Sequence, residues 1–159
     1  MPEGSARDLA ERYTNALNHR DWKTLEATVH ADYYVDFPQS GERIRGFANL
    51  RAMFEGYPGG LSTTAHAGAT TVIGGEDRWV VTPNFTVVRV TGTSDVFTIV
   101  ARAAYPDGSE WFVISTTRAE EGRMRSATTY FAPAFEAPEW RASIVEPIPG
   151  WTPLAAPPR

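Results

Sequence analysis

The residues of this 159-residue chain with chemical scope are few and scattered. Asp36 is a carboxylate within the otherwise apolar stretch from Tyr33 to Phe37. A carboxyl buried among aromatics titrates upward and suits acid/base work near neutrality. His66 lies in a threonine-rich stretch and titrates near neutrality without help. These two are the candidate bases. Ser115 offers a hydroxyl to a ligand, Arg102 a cation for an anionic or enolate oxygen, and Asn84 an amide beside Pro83. Tyr13, Tyr34, Phe54, Tyr57, Trp79, Trp111, Tyr130 and Phe131, with Val113 and Thr129, supply walls for an apolar pocket with a few polar points. Each has a plainer reading: a solvated aspartate, a strand histidine with its bonds satisfied, a rim arginine paired with an acid, and aromatics that fill a core. Two classes of function therefore stand. One is a cofactor-independent enzyme that moves a proton next to a carbonyl of a hydrophobic metabolite, by cyclisation, isomerisation or dehydration. The other is a non-catalytic ligand-binding or accessory protein.

Much else is excluded. The chain has no cysteine, so disulfides, thiolate metal sites and cysteine nucleophiles are out. His19, His30 and His66 show no metal-ligand spacing, and no HExxH, P-loop, GxGxxG or GxSxG pattern occurs. No cofactor or metal is expected. A net charge of -4 without a basic run argues against nucleic acid. The apolar runs are too short to cross a bilayer, and no secretory leader opens the chain, so the cytoplasm is the expected compartment. Lys23 is the sole lysine among 15 basic residues, a bias expected of a GC-rich bacterial genome.

The elements that must position these groups fall into two halves. Ser5 is a helix cap, with Asp8 in capping-box position and Leu9, Tyr13, Ala16 and Leu17 at helical spacing. Asp21 caps a shorter helix with Trp22, Leu25 and Val29 inward, and His19 and His30 fall at helix ends. An extended piece, Tyr33 to Phe37, ends at Pro38, and a loop with Gly41 and Gly46 follows. Phe47, Leu50, Phe54 and Tyr57 mark a third helix, stopped by Pro58-Gly59-Gly60. Strands follow at Thr63–Ile73, Trp79–Thr91, Asp95–Tyr105, Glu110–Arg118 and Arg123–Phe131, with a hairpin turn at Pro106-Asp107-Gly108-Ser109. Seven of the twelve prolines lie after Phe131, and Pro138 opens a short helix through Val145. The division expected is one domain, residues 1–146, and a proline-rich tail, residues 147–159.

The fold class expected is α+β: a cone-shaped, curved, mostly antiparallel sheet wrapped around three N-terminal helices, a cystatin-like roll. Alternation puts Trp111, Val113, Ser115 and Thr117 on one face of their strand, and Phe112, Ile114 and Thr116 on the other. Neither face is plainly polar, and three short helices cover only one. The other face is expected to meet a second copy of the chain in a homodimer.

In this arrangement the chain resembles the SnoaL-like polyketide cyclase branch of the nuclear-transport-factor-2-like superfamily. The resemblance rests on Asp21-Trp22, on Ala31-Asp32 leading into Val35-Asp36-Phe37-Pro38, on Tyr105 to Ser109, and on Tyr130-Phe131-Ala132-Pro133 with Glu139-Trp140-Arg141. It covers roughly residues 5–146 and implies the fold, not one reaction, because the superfamily holds cyclases, isomerases, epoxide hydrolases, dehydratases and binders. In the similar ketosteroid isomerases, a first-helix tyrosine and a late-strand acid hold an oxyanion while a carboxylate shuttles the proton. The resemblance places Tyr13 in the first role and Ser115 at the late-strand acid. The shuttle position is Phe37, with Asp36 one residue earlier, which argues against a steroid isomerase. The Asp-Arg-Asp set of the epoxide hydrolases is broken at Ala104, two residues beyond Arg102. The implied catalytic set is Asp36 or His66 as base, with Tyr13 and Ser115 as oxyanion donors.

Overall fold

A computed structural model describes residues 5–55, 84–104, 109–150 and 154. The strand expected at Thr63–Ile73, the hairpin turn at residues 105–108, and Tyr57, His66 and Trp79 lie outside the described residues.

The first helix, α1 (Ala6–His19), starts where its cap predicts: the Asp8 amide donates to the Ser5 hydroxyl over 3.1 Å. The Thr24 amide donates to the Asp21 carboxylate over 3.0 Å and starts α2 (Trp22–Ala27) in the same way. β1 (Val29–Phe37) then begins earlier than its apolar run suggested. His30 consequently stands in a strand, not at a helix end, and its Nδ1 accepts from Arg125 at 3.0 Å. A short strand, β2 (Glu42–Arg45), occupies what reads in sequence as loop. α3 (Phe47–Glu55) follows, with Leu50 and Phe54 buried on its inner side.

β3 (Asn84–Gly92), β4 (Val96–Ala104), β5 (Glu110–Glu120) and β6 (Arg123–Pro133) form an antiparallel meander. β1 closes onto β6 in parallel, so the six-stranded order is β2-β1-β6-β5-β4-β3, a curved sheet that stays open. The helices cover one face. There Leu9, Leu17, Leu25, Val29, Tyr33, Val35, Leu50, Phe97 and Ile99 make one core. The apolar stripe of α1 and the inward half of each strand meet in that core because their periods, 3.6 and 2, each expose one apolar side. A short 3-10 helix, Glu139–Ile144, follows the sheet, with Pro138 as its cap residue rather than its first turn.

Gly92 closes β3 at a φ of 130°, where a Cβ would stand 2.4 Å from the Val96 carbonyl oxygen and 2.7 Å from the Phe97 Cα. Both neighbours are backbone and cannot turn aside. Gly92→Ala is expected to cost about 3 kcal/mol or more, which lowers the melting temperature by roughly 6–12 °C. An unchanged midpoint in a thermal melt would refute the strain argument.

Candidate functional site

Between the helices and the inner face lies a cavity with about 100 Å³ open to the centres of water-sized molecules, partly open to solvent. That is room for several waters or a small organic guest. Each wall follows from strand alternation. β1 contributes Tyr33, Val35 and Phe37; β5 contributes Val113, Ser115 and Thr117; β6 contributes Ala127, Thr129 and Phe131. From the helices come Tyr13, Thr14 and Leu17 of α1 and Leu50, Met53 and Phe54 of α3.

Two side-chain amides fix the aromatic walls. Asn18 bonds both backbone groups of Phe85, at 2.9 and 3.0 Å, and Gln39 does the same to Phe131, at 2.9 and 2.7 Å. Each amide thereby takes the place of a neighbouring strand. Phe131 in turn stacks on Phe37, with ring centroids 6.0 Å apart.

The polar groups of the described lining are all hydroxyls. Burial pushes the Tyr13 hydroxyl up to about 12, a rise partly offset by its hydrogen bond with Tyr33. Burial and the adjoining Tyr13 hold Tyr33 well above the usual tyrosine range. Both phenols are thus neutral at physiological pH. The bond between the two phenols uses one of their two protons, so the other remains for an acceptor in the cavity. Across the chamber Ser115 Oγ and Thr129 Oγ1 bond each other at 2.8 Å. Thr14 Oγ1 donates to the Ala10 carbonyl at 2.8 Å.

The structure sorts the expected site residues. It brings Tyr13, Phe54, Val113, Ser115, Thr129 and Phe131 together around the cavity. It removes Asp36, Tyr34 and Arg102 to the other face, as corrections to the sequence reading. Asp36 follows inward Val35 by one residue, so it points away. Arg43 grips it through two bonds of 2.6 and 2.8 Å and holds its carboxyl below the usual range, the reverse of what a neutral-pH base needs. Tyr34 lies under Arg43, 4.1 Å from guanidinium to ring centre. Arg102 pairs with Glu110 at 3.0 Å, opposite in direction to buried Ala101 and Ala103. Trp111 faces inward but packs on Ala103 and donates to Ser109 at 3.1 Å, outside the cavity lining. Asn84 opens β3 opposite Ala104, and its side chain is not among the described atoms.

Sequence reasoning missed Tyr33, Thr14 and Thr117 as site residues. For Tyr33 the signal was present: it shares a face with Val35 and Phe37. Among the described residues no cluster of three acids or histidines could hold a metal ion, and no helix is long and apolar enough to cross a membrane.

Comparison with known proteins agrees with this architecture. An NTF-2-like protein of unknown function from Burkholderia xenovorans superposes with a TM-score of 0.67 at 26% identity, over 89% of this chain and 94% of that one. A candidate ketosteroid isomerase from Kribbella flavida gives 0.67 at 22% identity, over 91% and 90%. A candidate SnoaL-like polyketide cyclase from Shewanella putrefaciens gives 0.57 at 13% identity, over 83% and 81%. The last two likenesses speak for fold alone. No curated protein matches the sequence. The SnoaL-like domain matches residues 10–127, about three quarters of the sequence, and with the helix-covered sheet and the cavity between its layers this makes the chain a member of the SnoaL-like domain family.

Proposed function

We propose that this protein holds a neutral, largely apolar carbonyl compound, with the carbonyl oxygen on the Tyr13 hydroxyl and Tyr33 behind it. The observation that carries this reading is the character of the described lining: hydrocarbon, plus hydroxyls that stay uncharged at physiological pH. A charged guest would lose its hydration there without a counter-ion. A ketone loses little, and it offers an acceptor to the one phenol proton left uncommitted.

A second reading adds chemistry to the same pose. Tyr13 would stabilise an enolate oxygen, Ser115 would assist, and His66 would move the α-proton, which gives a cofactor-independent isomerase, cyclase or dehydratase of a hydrophobic, polyketide-like metabolite. The hydrogen bond between Tyr33 and Tyr13 favours this, since a phenol within a hydrogen-bonded pair donates more strongly. The names of the Kribbella and Shewanella neighbours point the same way. The two readings separate in one experiment: uncharged cyclic ketones are titrated against the protein in D2O, with binding and α-deuteration followed by NMR. Binding without exchange marks a binder. Exchange that is lost in His66→Ala marks the enzyme. Failure of every ketone to bind would overturn both.

We further propose that the outer sheet face meets a second copy of the chain. Val96 and Tyr130 are exposed on that face beside half-buried Phe112 and Ile114, and Phe135, Trp140, Ile144 and Ile148 are exposed after it. Apolar surface gathered in this way marks an interface, and two-fold pairs are its commonest form. Sedimentation at micromolar concentration should give twice 17.5 kDa. A single species at the chain mass would refute it.

A further inference from the structure

Thr117 is an unusual member of the cavity wall. It is 1% exposed, and its Oγ1 makes no hydrogen bond among the described residues. Its cross-strand neighbours explain why. In register, Thr117 lies between Phe97 of β4 and Ala127 of β6, and neither side chain can donate or accept. One step up the same strands, Ser115 lies opposite Thr129, and those two hydroxyls satisfy each other. Valine would fill the Thr117 position with the same shape and no polar atom. A buried hydroxyl with no partner destabilises the free protein relative to such a replacement.

We infer that the guest of this cavity carries a second oxygen function, apart from the carbonyl held by Tyr13, and that Thr117 recognises it. The inference rests on the carbonyl reading given above and names the substrate class more closely: a neutral hydroxy-ketone or dione, not a simple hydrocarbon ketone. One step between staggered χ1 wells is enough to turn a threonine hydroxyl toward a new partner. Because the hydroxyl is unpaired before binding, the gain on pairing includes relief of that cost. A site that pairs a guest hydroxyl discriminates against the analogue that lacks it far better than a hydrocarbon wall discriminates between methyl groups.

The test uses two matched probes, 4-hydroxycyclohexanone and 4-methylcyclohexanone, titrated against wild type, Thr117→Val and Thr117→Ser. Wild type is expected to bind the hydroxy compound about tenfold more tightly. Thr117→Ser should keep that preference. Thr117→Val should lose it while melting about 2–4 °C higher than wild type. Ketone binding with the preference unmoved in Thr117→Val would overturn this inference and leave the carbonyl reading standing. A lower melting temperature for Thr117→Val would overturn it as well, since the hydroxyl would then already be paired in the free protein. If wild type bound neither probe, the carbonyl reading would fall and this inference with it.

Discussion

Tyr13→Phe is expected to weaken binding of uncharged ketones about tenfold and, if the protein is a catalyst, to slow exchange of their α-protons about 100-fold. The variant keeps the ring and its packing and removes only the phenol oxygen. The larger effect falls on exchange because an oxyanion donor acts most where negative charge develops. The same substitution leaves the Tyr33 hydroxyl without its Tyr13 partner, so a stability loss of about 1–3 kcal/mol should accompany it. Tyr33→Phe gives the control. It leaves the Tyr13 proton in place and removes only the bond that backs it, so ketone affinity should fall by about threefold or less. Equal losses in both variants would show that the pair is structural, and an unchanged affinity in Tyr13→Phe would remove it from the site.

The second large effect is on alkaline stability. Folding raises the Tyr13 hydroxyl from 10.0 to about 12 and holds Tyr33 well above 10.0 as well. The sign follows from proton counting. Between these limits the unfolded chain has lost the phenol proton and the folded chain retains it, so unfolding releases protons and is favoured by rising pH. The stabilisation is complete below about pH 10 and is lost as pH climbs toward 12. Each tyrosine contributes a slope of up to about 1.4 kcal/mol per pH unit in that window. Unfolding midpoints in denaturant should therefore fall steeply from pH 10 to pH 12 and much less in the Tyr13→Phe, Tyr33→Phe double variant. In wild type, two of the six tyrosines should ionise only as the protein unfolds, which tyrosinate absorbance would register. Six phenols ionising together before unfolding would contradict the buried pair.

The fold was largely legible because its signals are local. Ser5 and Asp21 announce the starts of α1 and α2, and their hydroxyl and carboxylate bond the amides that the capping rule names. Alternation along β4 and β5 separates inner Phe97, Ile99 and Val113 from outer Val100 and Ile114 without knowledge of strand order. The parallel union of β1 with β6 was not legible, because it joins residues about ninety positions apart and leaves no periodic trace. The site shows the same divide. Ser115 and Phe131 could be read from alternation. Asp36 was singled out because it is the carboxylate of the otherwise apolar stretch from Tyr33 to Phe37, yet its direction is decided by its neighbour Val35, and its partner Arg43 becomes apparent only once β1 and β2 form a hairpin. The bond between Tyr13 and Tyr33 crosses from helix to strand and has no signature in spacing.

One edge of the sheet has a consequence for solubility. β2 is four residues long, and Glu42, Arg43 and Arg45 are exposed along it. Short, charged borders discourage the strand-by-strand growth that leads to fibrils. A protein that conceals an oily chamber and displays aromatic rings beyond its last strand thus ends its sheet on a border unfavourable for open-ended stacking.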